Sequence, residues 1–191
     1  MLHRNTTLLA AALVTCVTVA HAQAPAAGVE VGPKVGDVAP DFSLPGATID
    51  GVMKAPLKLS SFKGQTVVVA FFPKARTKGC TAQMTTYRDK WATLFNGGKG
   101  IKVIAISMDA DTTTAAWAKE ANLPMMFGSD MKGETGKLYG AYTDGRPVES
   151  RLLYVVGPDG KIAYTVKPFN PMVEDAYTDL GAALKKTAGT K

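Results

Sequence analysis

Apolar positions follow two patterns along the chain. The first pattern is the continuous apolar run, which predicts strands. Residues 66–72 and 101–108 are largely apolar runs rich in β-branched and aliphatic side chains, as expected of strands covered on both faces of a sheet. Residues 125–128 form a shorter run. Residues 151–157 and 161–168 flank the sequence Pro-Asp-Gly, which predicts a β-hairpin with suitable turn chemistry.

The second pattern is helical, and it occurs between and after these strands. One helix is predicted from Cys80 to the Asn-Gly-Gly of residues 96–98, which tolerate a left-handed backbone. Its apolar face would consist of Met84, Tyr87, Trp91 and Leu94. The last helix is predicted over residues 172–186, with an apolar face of Val173, Tyr177, Leu180 and Leu184.

Two shorter helices complete the pattern. One runs to about residue 121 and begins at Asp109 or Asp111, either of which can cap it. The other lies within residues 133–142. The alternation of strands and helices predicts an α/β fold with a central mixed sheet flanked by helices on both faces. A final hairpin followed by a helix is the arrangement of the thioredoxin fold.

The first 22 residues have the pattern of a secretory signal peptide. A basic start precedes an apolar run over residues 8–20, and residues 20–22 (Ala-His-Ala) form a small-x-small cleavage site. A retained membrane anchor is the weaker alternative, because the run is shorter than the roughly 20 residues that span a bilayer. A lipidated Cys16 is disfavoured by the larger Thr15 before it. We expect cleavage after Ala22 and export to the periplasm.

Length and charge limit what the exported chain can be. The 191 residues accommodate the signal, a flexible Ala-, Gly- and Pro-rich lead-in over residues 23–34, and one domain over residues 35–187. Losing Arg4 with the signal takes the formal charge from +6 to +5. The basic residues are scattered, without a basic stripe among aromatics, so we expect no nucleic-acid binding.

Cleavage would also leave a single thiol in the chain. Both histidines, His3 and His21, and the cysteine Cys16 lie in the predicted signal, so the mature chain keeps only Cys80. No disulfide can form within it, and a lone thiol in an oxidising compartment is either buried and inert or reactive and used. A copper-carrying protein would need more soft ligands than this. We expect no metal and no cofactor.

Cys80 lies where a predicted strand gives way to a predicted helix. The free N–H groups and the positive dipole end of a helix N-terminus favour a thiolate over a thiol. Lys74, Arg76 and Lys78 are cations near it in sequence, and the fold can bring in Arg151. A purely structural Cys80 is the alternative, but the polar, Gly-containing loop before it argues for chemistry.

Residues 73–80, Pro-Lys-Ala-Arg-Thr-Lys-Gly-Cys, fit the pattern P-x-x-x-T-x-x-C. By this pattern the chain resembles the peroxiredoxins, the alkyl hydroperoxide reductase/thiol-specific antioxidant family. The resemblance extends over roughly residues 35–184 and is greatest to the bacterioferritin-comigratory (Q-type) branch. It is carried by residues 35–45, 57–75, 101–110, 123–142 and 150–164.

The resemblance implies a role for each residue of the motif. Cys80 would attack the O–O bond and become a sulfenic acid, while Arg151 would favour the thiolate and stabilise charge as that bond stretches. Thr77 would donate to the peroxide, Pro73 would shield the sulfur from water, and the N–H of Gly79 would polarise the same oxygen. From the residues alone, Thr77 could instead cap the helix, Arg151 could be a surface residue, and Pro73 could merely end a strand.

The chain departs from the family pattern near Cys80, and also in the helix after Asp109, which lacks a histidine often found there. Gln83, which we place with the substrate-binding groups, stands where a glutamate is common, and it can hydrogen-bond the arginine without pairing its charge. Lys78 stands where a proline is usual. Thr85 stands where Q-type relatives often carry a resolving cysteine. The resemblance therefore implies a one-cysteine variant.

The resulting hypothesis is a thiol-dependent peroxidase that reduces hydrogen peroxide and organic hydroperoxides. Its sulfenic acid would be resolved by an external thiol: glutathione, a thioredoxin-like protein, or Cys80 of a second subunit in a homodimer. The alternative is an exported thioredoxin-like thiol–disulfide oxidoreductase. Those enzymes use C-x-x-C, whereas residues 77–80 read Thr-Lys-Gly-Cys and lack the attacking cysteine.

Overall fold

The computed structural model of the protein describes Met1 and residues 31–188. The predicted signal peptide and most of the predicted lead-in, up to residue 30, lie outside the described residues. Within the part of the chain that is described, no helix combines the length and the apolar character needed to cross a membrane.

A seven-stranded mixed sheet forms the centre of the fold, in the order β3-β2-β7-β6-β5-β8-β9. Its strands are β2 (Gly46–Thr48), β3 (Gly51–Val52), β5 (Thr66–Phe71), β6 (Ile101–Ser107), β7 (Met126–Ser129), β8 (Leu153–Val156) and β9 (Ile162–Val166). The remaining strands, β1 (Ser43–Leu44) and β4 (Leu57–Lys58), form a separate antiparallel pair.

The three central strands are parallel, and the outer ones are antiparallel. Thr66 lies opposite Ile101 and Phe71 opposite Ile106 in the parallel β5–β6 pair. β8 runs antiparallel to β5, and β9 to β8, as the predicted hairpin requires. All six residues of β5 are buried, because the sheet is covered on both faces. The predicted mixed sheet is therefore confirmed.

Helices cover the two faces of this sheet. They are α1 (Lys78–Asp89), α2 (Trp91–Leu94), α3 (Asp111–Glu120), α4 (Glu134–Tyr139) and α5 (Glu174–Ala188). Since side chains of a strand alternate between faces, β5 sends Val68 into one core, which also contains buried residues of α1, α3 and α5. It sends Val67 into the other core, which contains Tyr139 of α4.

Several helix boundaries differ from the sequence prediction. The helix that begins before Cys80 stops at Asp89, and the short α2 continues it as far as Leu94. The predicted turn beyond it is present, with Asn96 at φ 51°. The last helix begins at Glu174, so Val173 precedes it and is 42% exposed, contrary to its predicted place on the apolar face.

The capping prediction for α3 was wrong. Ala110 occupies the N-cap position, and no side chain caps the helix. Asp109 instead accepts hydrogen bonds from the backbone N–H of Ala75 at 2.8 Å and from the Ser107 hydroxyl at 2.9 Å. The carboxylate at the end of β6 therefore fastens the loop that follows β5.

Glu149 is a buried carboxylic acid with an unusual environment. It is 1% exposed, and no N–H or O–H group of another described residue donates to its carboxyl oxygens. A Cβ at Gly136 would come within 2.5 Å of Oε1, so the glycine leaves the space in which the carboxyl lies. Burial, followed by the charge of Asp130, a hydrogen bond to Asp130 that the protonated form can make, and the charge of Asp109, raises the pKa of Glu149 from 4.5 to about 9. The group is therefore neutral at pH 7.

Replacing this carboxyl should change how stability depends on pH. Because the pKa of Glu149 is higher in the folded chain, the stability it contributes is complete below about pH 4.5 and is lost as pH rises towards about 9. In Glu149→Gln this loss should be absent, so the variant gains on the wild type by up to about 1.4 kcal/mol per pH unit in that window. Urea unfolding at a series of pH values measures the difference.

The exposed Glu134, at the start of α4, provides the matched control. Glu134→Gln makes the same chemical change at an exposed position, and it shows how much of any difference comes from the substitution itself. Parallel curves for Glu149→Gln and the wild type between about pH 5 and pH 9 would show that Glu149 is not a buried neutral acid.

Candidate active site

The end of β5 and the start of α1 together position Cys80. Strand β5 ends at Phe71, the loop follows, and Cys80 is the third residue of the helix, 0% exposed and free of any disulfide. The first helical hydrogen bond runs from the N–H of Thr81 to the Thr77 carbonyl at 2.8 Å. The N–H groups of Gly79 and Cys80 have no acceptor within residues 31–188, so they are free to bind an anion or a polar oxygen.

Arg151 reaches Cys80 from the segment just before β8, the antiparallel neighbour of β5. Its Nη2 donates to the Cys80 Sγ at 3.2 Å, across 71 residues of sequence. The register that places Leu153 opposite Ala70 brings Arg151 beside the loop after β5. A Cβ at Gly79 would lie 3.3 Å from the same Nη2, so glycine at this position leaves room for the guanidinium.

Two buried side chains lie behind the guanidinium. Gln83 Oε1 accepts from Arg151 Nη1 at 2.5 Å, and Gln83 Nε2 donates to the Tyr87 hydroxyl at 3.0 Å. The hydrogen bond predicted between Gln83 and the arginine is thus present. Both polar ends of the Gln83 amide are held by protein groups, although the sequence placed this residue with those that bind substrate.

Thr77 occupies the N-cap position of α1, but its side chain does not cap the helix. Its hydroxyl donates to the Lys74 carbonyl at 2.9 Å, which excludes the alternative of a side-chain cap. The residue is exposed, and its oxygen retains lone pairs that can accept a hydrogen bond. Pro73 is half-buried and lies two residues beyond the end of β5.

The three cations nearest to Cys80 in sequence do not donate a hydrogen bond to its sulfur in the described structure. Arg76 has a left-handed backbone, with φ at 62°, and forms a salt bridge with Glu120 of α3 at 2.8 Å. Lys74 and Lys78 are exposed. Among the described residues, Arg151 is the one cation that donates a hydrogen bond to the sulfur.

Sequence reasoning missed two residues that support this site. Asp109, taken for a helix cap, holds Ala75 in the loop before Cys80. Tyr87, taken for a core residue, is buried, yet its hydroxyl binds Gln83. Burial raises the pKa of Tyr87 above its ordinary value of 10.0, so the hydroxyl keeps its proton. Its position four residues after Gln83 on the same helix was the signal that could have revealed the contact.

Comparison with known proteins places this chain in a family. The AhpC/TSA family model matches residues 35–165. Peroxiredoxin Bcp of Escherichia coli is 32% identical over 142 residues, which cover 71% of this chain and 86% of that protein. A putative peroxiredoxin of Mycobacterium tuberculosis is 34% identical over 141 residues, or 69% of this chain and 85% of that protein.

A solved structure agrees with these relatives. The crystal structure of peroxidoxin BcpB from Mycobacterium tuberculosis superposes with a TM-score of 0.66 at 26% identity, covering 80% of this chain and 97% of that one. AhpC of Enterococcus faecalis, at 16% identity and a TM-score of 0.69, shares the fold over 81% of this chain and 92% of its own. The resemblance drawn from residues 73–80 is thereby confirmed, and the chain belongs to the AhpC/TSA family of peroxiredoxins.

Proposed function

We propose that this thiol-dependent peroxidase works with one cysteine: Cys80 reduces a hydroperoxide, and a thiol from outside the chain reduces Cys80 again. The observation that carries the proposal is the 3.2 Å contact between the Cys80 Sγ and Nη2 of Arg151. A fixed positive charge beside the sulfur favours the thiolate, which is the nucleophilic form.

The chemistry requires one bond to form while another breaks. The Cys80 thiolate attacks one oxygen of the peroxide, an S–O bond forms, and the O–O bond breaks. The departing oxygen takes up a proton and leaves as water or an alcohol, and Cys80 becomes a sulfenic acid. The Arg151 guanidinium and the free N–H groups of Gly79 and Cys80 are placed to stabilise the charge that develops on these oxygens.

Two further groups of the motif complete the proposal. Thr77 would bind the peroxide through its hydroxyl, which must first leave the Lys74 carbonyl if it is to donate. Pro73 would keep water from the sulfur. Since Cys80 is 0% exposed, a peroxide reaches it only when the surrounding side chains move, and this favours small hydroperoxides such as hydrogen peroxide over bulky ones.

An external reductant is part of the proposal because Cys80 is the only cysteine among the described residues. Cys16, the other cysteine of the sequence, falls within the predicted signal, and Thr85 occupies the helix position five residues after Cys80. A thiol such as glutathione or a thioredoxin-like protein would condense with the sulfenic acid, releasing water and forming a mixed disulfide. A second thiol would then free Cys80. A thiol–disulfide oxidoreductase is not favoured, since Thr77 stands at the attacking position of C-x-x-C.

The peroxidase step is tested by treating the reduced protein, without its signal, with one equivalent of hydrogen peroxide. Mass spectrometry should show the rapid gain of one oxygen on Cys80, and Cys80→Ser should show none. Arg151→Ala should slow the reaction at least about tenfold, because it removes a hydrogen bond from a charged donor. Arg146→Ala removes an exposed arginine that binds Ser150 and should leave the rate unchanged. Oxidation no faster than that of a free thiol would exclude the enzyme.

The resolving step is tested by supplying the thiols one at a time. Continuous peroxide consumption is expected with glutathione or reduced thioredoxin, and only a single turnover without either. A non-reducing gel run after peroxide alone should show monomers. A disulfide-linked dimer would instead assign the resolving role to Cys80 of a second subunit and contradict direct resolution by glutathione or a thioredoxin-like protein.

We also propose that the protein is exported and acts in the periplasm, on the evidence of the pattern in residues 1–22. When the full chain is produced in a bacterium with two membranes, the protein in the periplasmic fraction should begin at Gln23. N-terminal sequencing and intact mass measure this. A full-length chain in the membrane fraction would support a retained anchor, and a lipid on Cys16 would support the lipoprotein alternative.

A further inference from the structure

The contact between Cys80 and Arg151 continues inwards as a chain of hydrogen bonds. Arg151 Nη1 donates to Gln83 Oε1 at 2.5 Å, and Gln83 Nε2 donates to the Tyr87 hydroxyl at 3.0 Å. Gln83 and Tyr87 are both fully buried. We propose that Tyr87 is a positioning residue: it orients the Gln83 amide, and the amide in turn holds the Arg151 guanidinium against the sulfur. This inference rests on the proposed peroxidase function.

An amide needs such a partner because its two ends are different. The oxygen of Gln83 accepts hydrogen bonds, whereas its NH₂ group only donates. If the amide turned over, NH₂ would face the guanidinium, which also only donates, and Arg151 would lose its bond. The donor-only guanidinium therefore selects the orientation of the amide, and the Tyr87 hydroxyl accepts from Nε2 on the far side. In this orientation neither buried end of the Gln83 amide lacks a partner.

The ring of Tyr87 is fixed by other aromatic rings. Its centroid lies 5.2 Å from Phe95, 6.1 Å from Tyr177 and 6.4 Å from Phe169. Phe169 also donates its backbone N–H to the Arg151 carbonyl at 3.0 Å. The same aromatic cluster therefore supports Arg151 at both ends, through its backbone and, by way of Gln83, through its guanidinium.

A double-mutant cycle separates this role from simple packing. The four proteins are the wild type, Tyr87→Phe, Gln83→Met, and the variant with both changes. Phenylalanine keeps the ring and its contacts, so the fold is retained, and only the acceptor of the amide is removed. The measurement is the second-order rate constant of Cys80 with hydrogen peroxide, together with the melting temperature of each protein.

Tyr87→Phe should slow the wild type about tenfold, because it leaves a buried amide donor without a partner. The same change in the Gln83→Met protein should cost less than about twofold, since no amide remains at position 83 for the Tyr87 hydroxyl to hold. Tyr177→Phe, which removes a hydroxyl of the same cluster that binds the Pro171 carbonyl, should leave the rate unchanged.

Equal slowing by Tyr87→Phe in both backgrounds, or no slowing with glutamine at position 83, would overturn the positioning role. A purely structural contribution would lower the melting temperature of both Tyr87→Phe proteins alike without this dependence on residue 83. The wild-type rate constant tests the proposed function separately. A wild type no faster than a free thiol refutes the peroxidase itself, whereas a fast wild type without the coupling refutes only the role of Tyr87.

Discussion

The hydrogen bond from the Arg151 guanidinium to the Cys80 sulfur is the interaction on which the rest of the site depends. The two residues are 71 positions apart, and the antiparallel register of β8 on β5 brings them together. A half-buried guanidinium needs a partner for each of its donors. Gln83 satisfies one side, and the absent side chain of Gly79 leaves the space for the other. The strand register, the glycine and the buried amide together position Arg151 against the Cys80 sulfur.

A neutral partner for Arg151 has a physical consequence. A carboxylate at position 83 would hold the guanidinium and also offset its positive charge, whereas the Gln83 amide holds it and leaves that charge for the thiolate. The amide also has a buried NH₂ group, however, which needs an acceptor. Tyr87, whose hydroxyl accepts from Nε2 and whose ring lies among aromatic rings, provides one. Hydrogen bonds thus connect the Cys80 sulfur through Arg151 and Gln83 to the aromatic core.

The sequence predicted the elements that have a clear period and missed those that have none. The continuous apolar run of β5 and the apolar face of α5 are visible in the sequence. In contrast, β2 has three residues and β3 has two, too few for an alternation to be detected. Asp109 follows a strand and precedes a helix, where a cap is typical. Its actual donor, Ala75, lies 34 residues away, a distance that no local pattern encodes. The bond between Gln83 and Tyr87 was concealed because Tyr87 also belongs to the apolar face.

Two glycines leave space for side chains of the segment that carries Arg151. Gly79 leaves space for the guanidinium, and Gly136 leaves space for the carboxyl of Glu149, two residues before it. Burial raises the pKa of Glu149 and keeps that group neutral at pH 7. The segment before β8 thus carries a neutral acid at residue 149 and a positive charge at residue 151, and it is the positive charge that contacts the Cys80 sulfur.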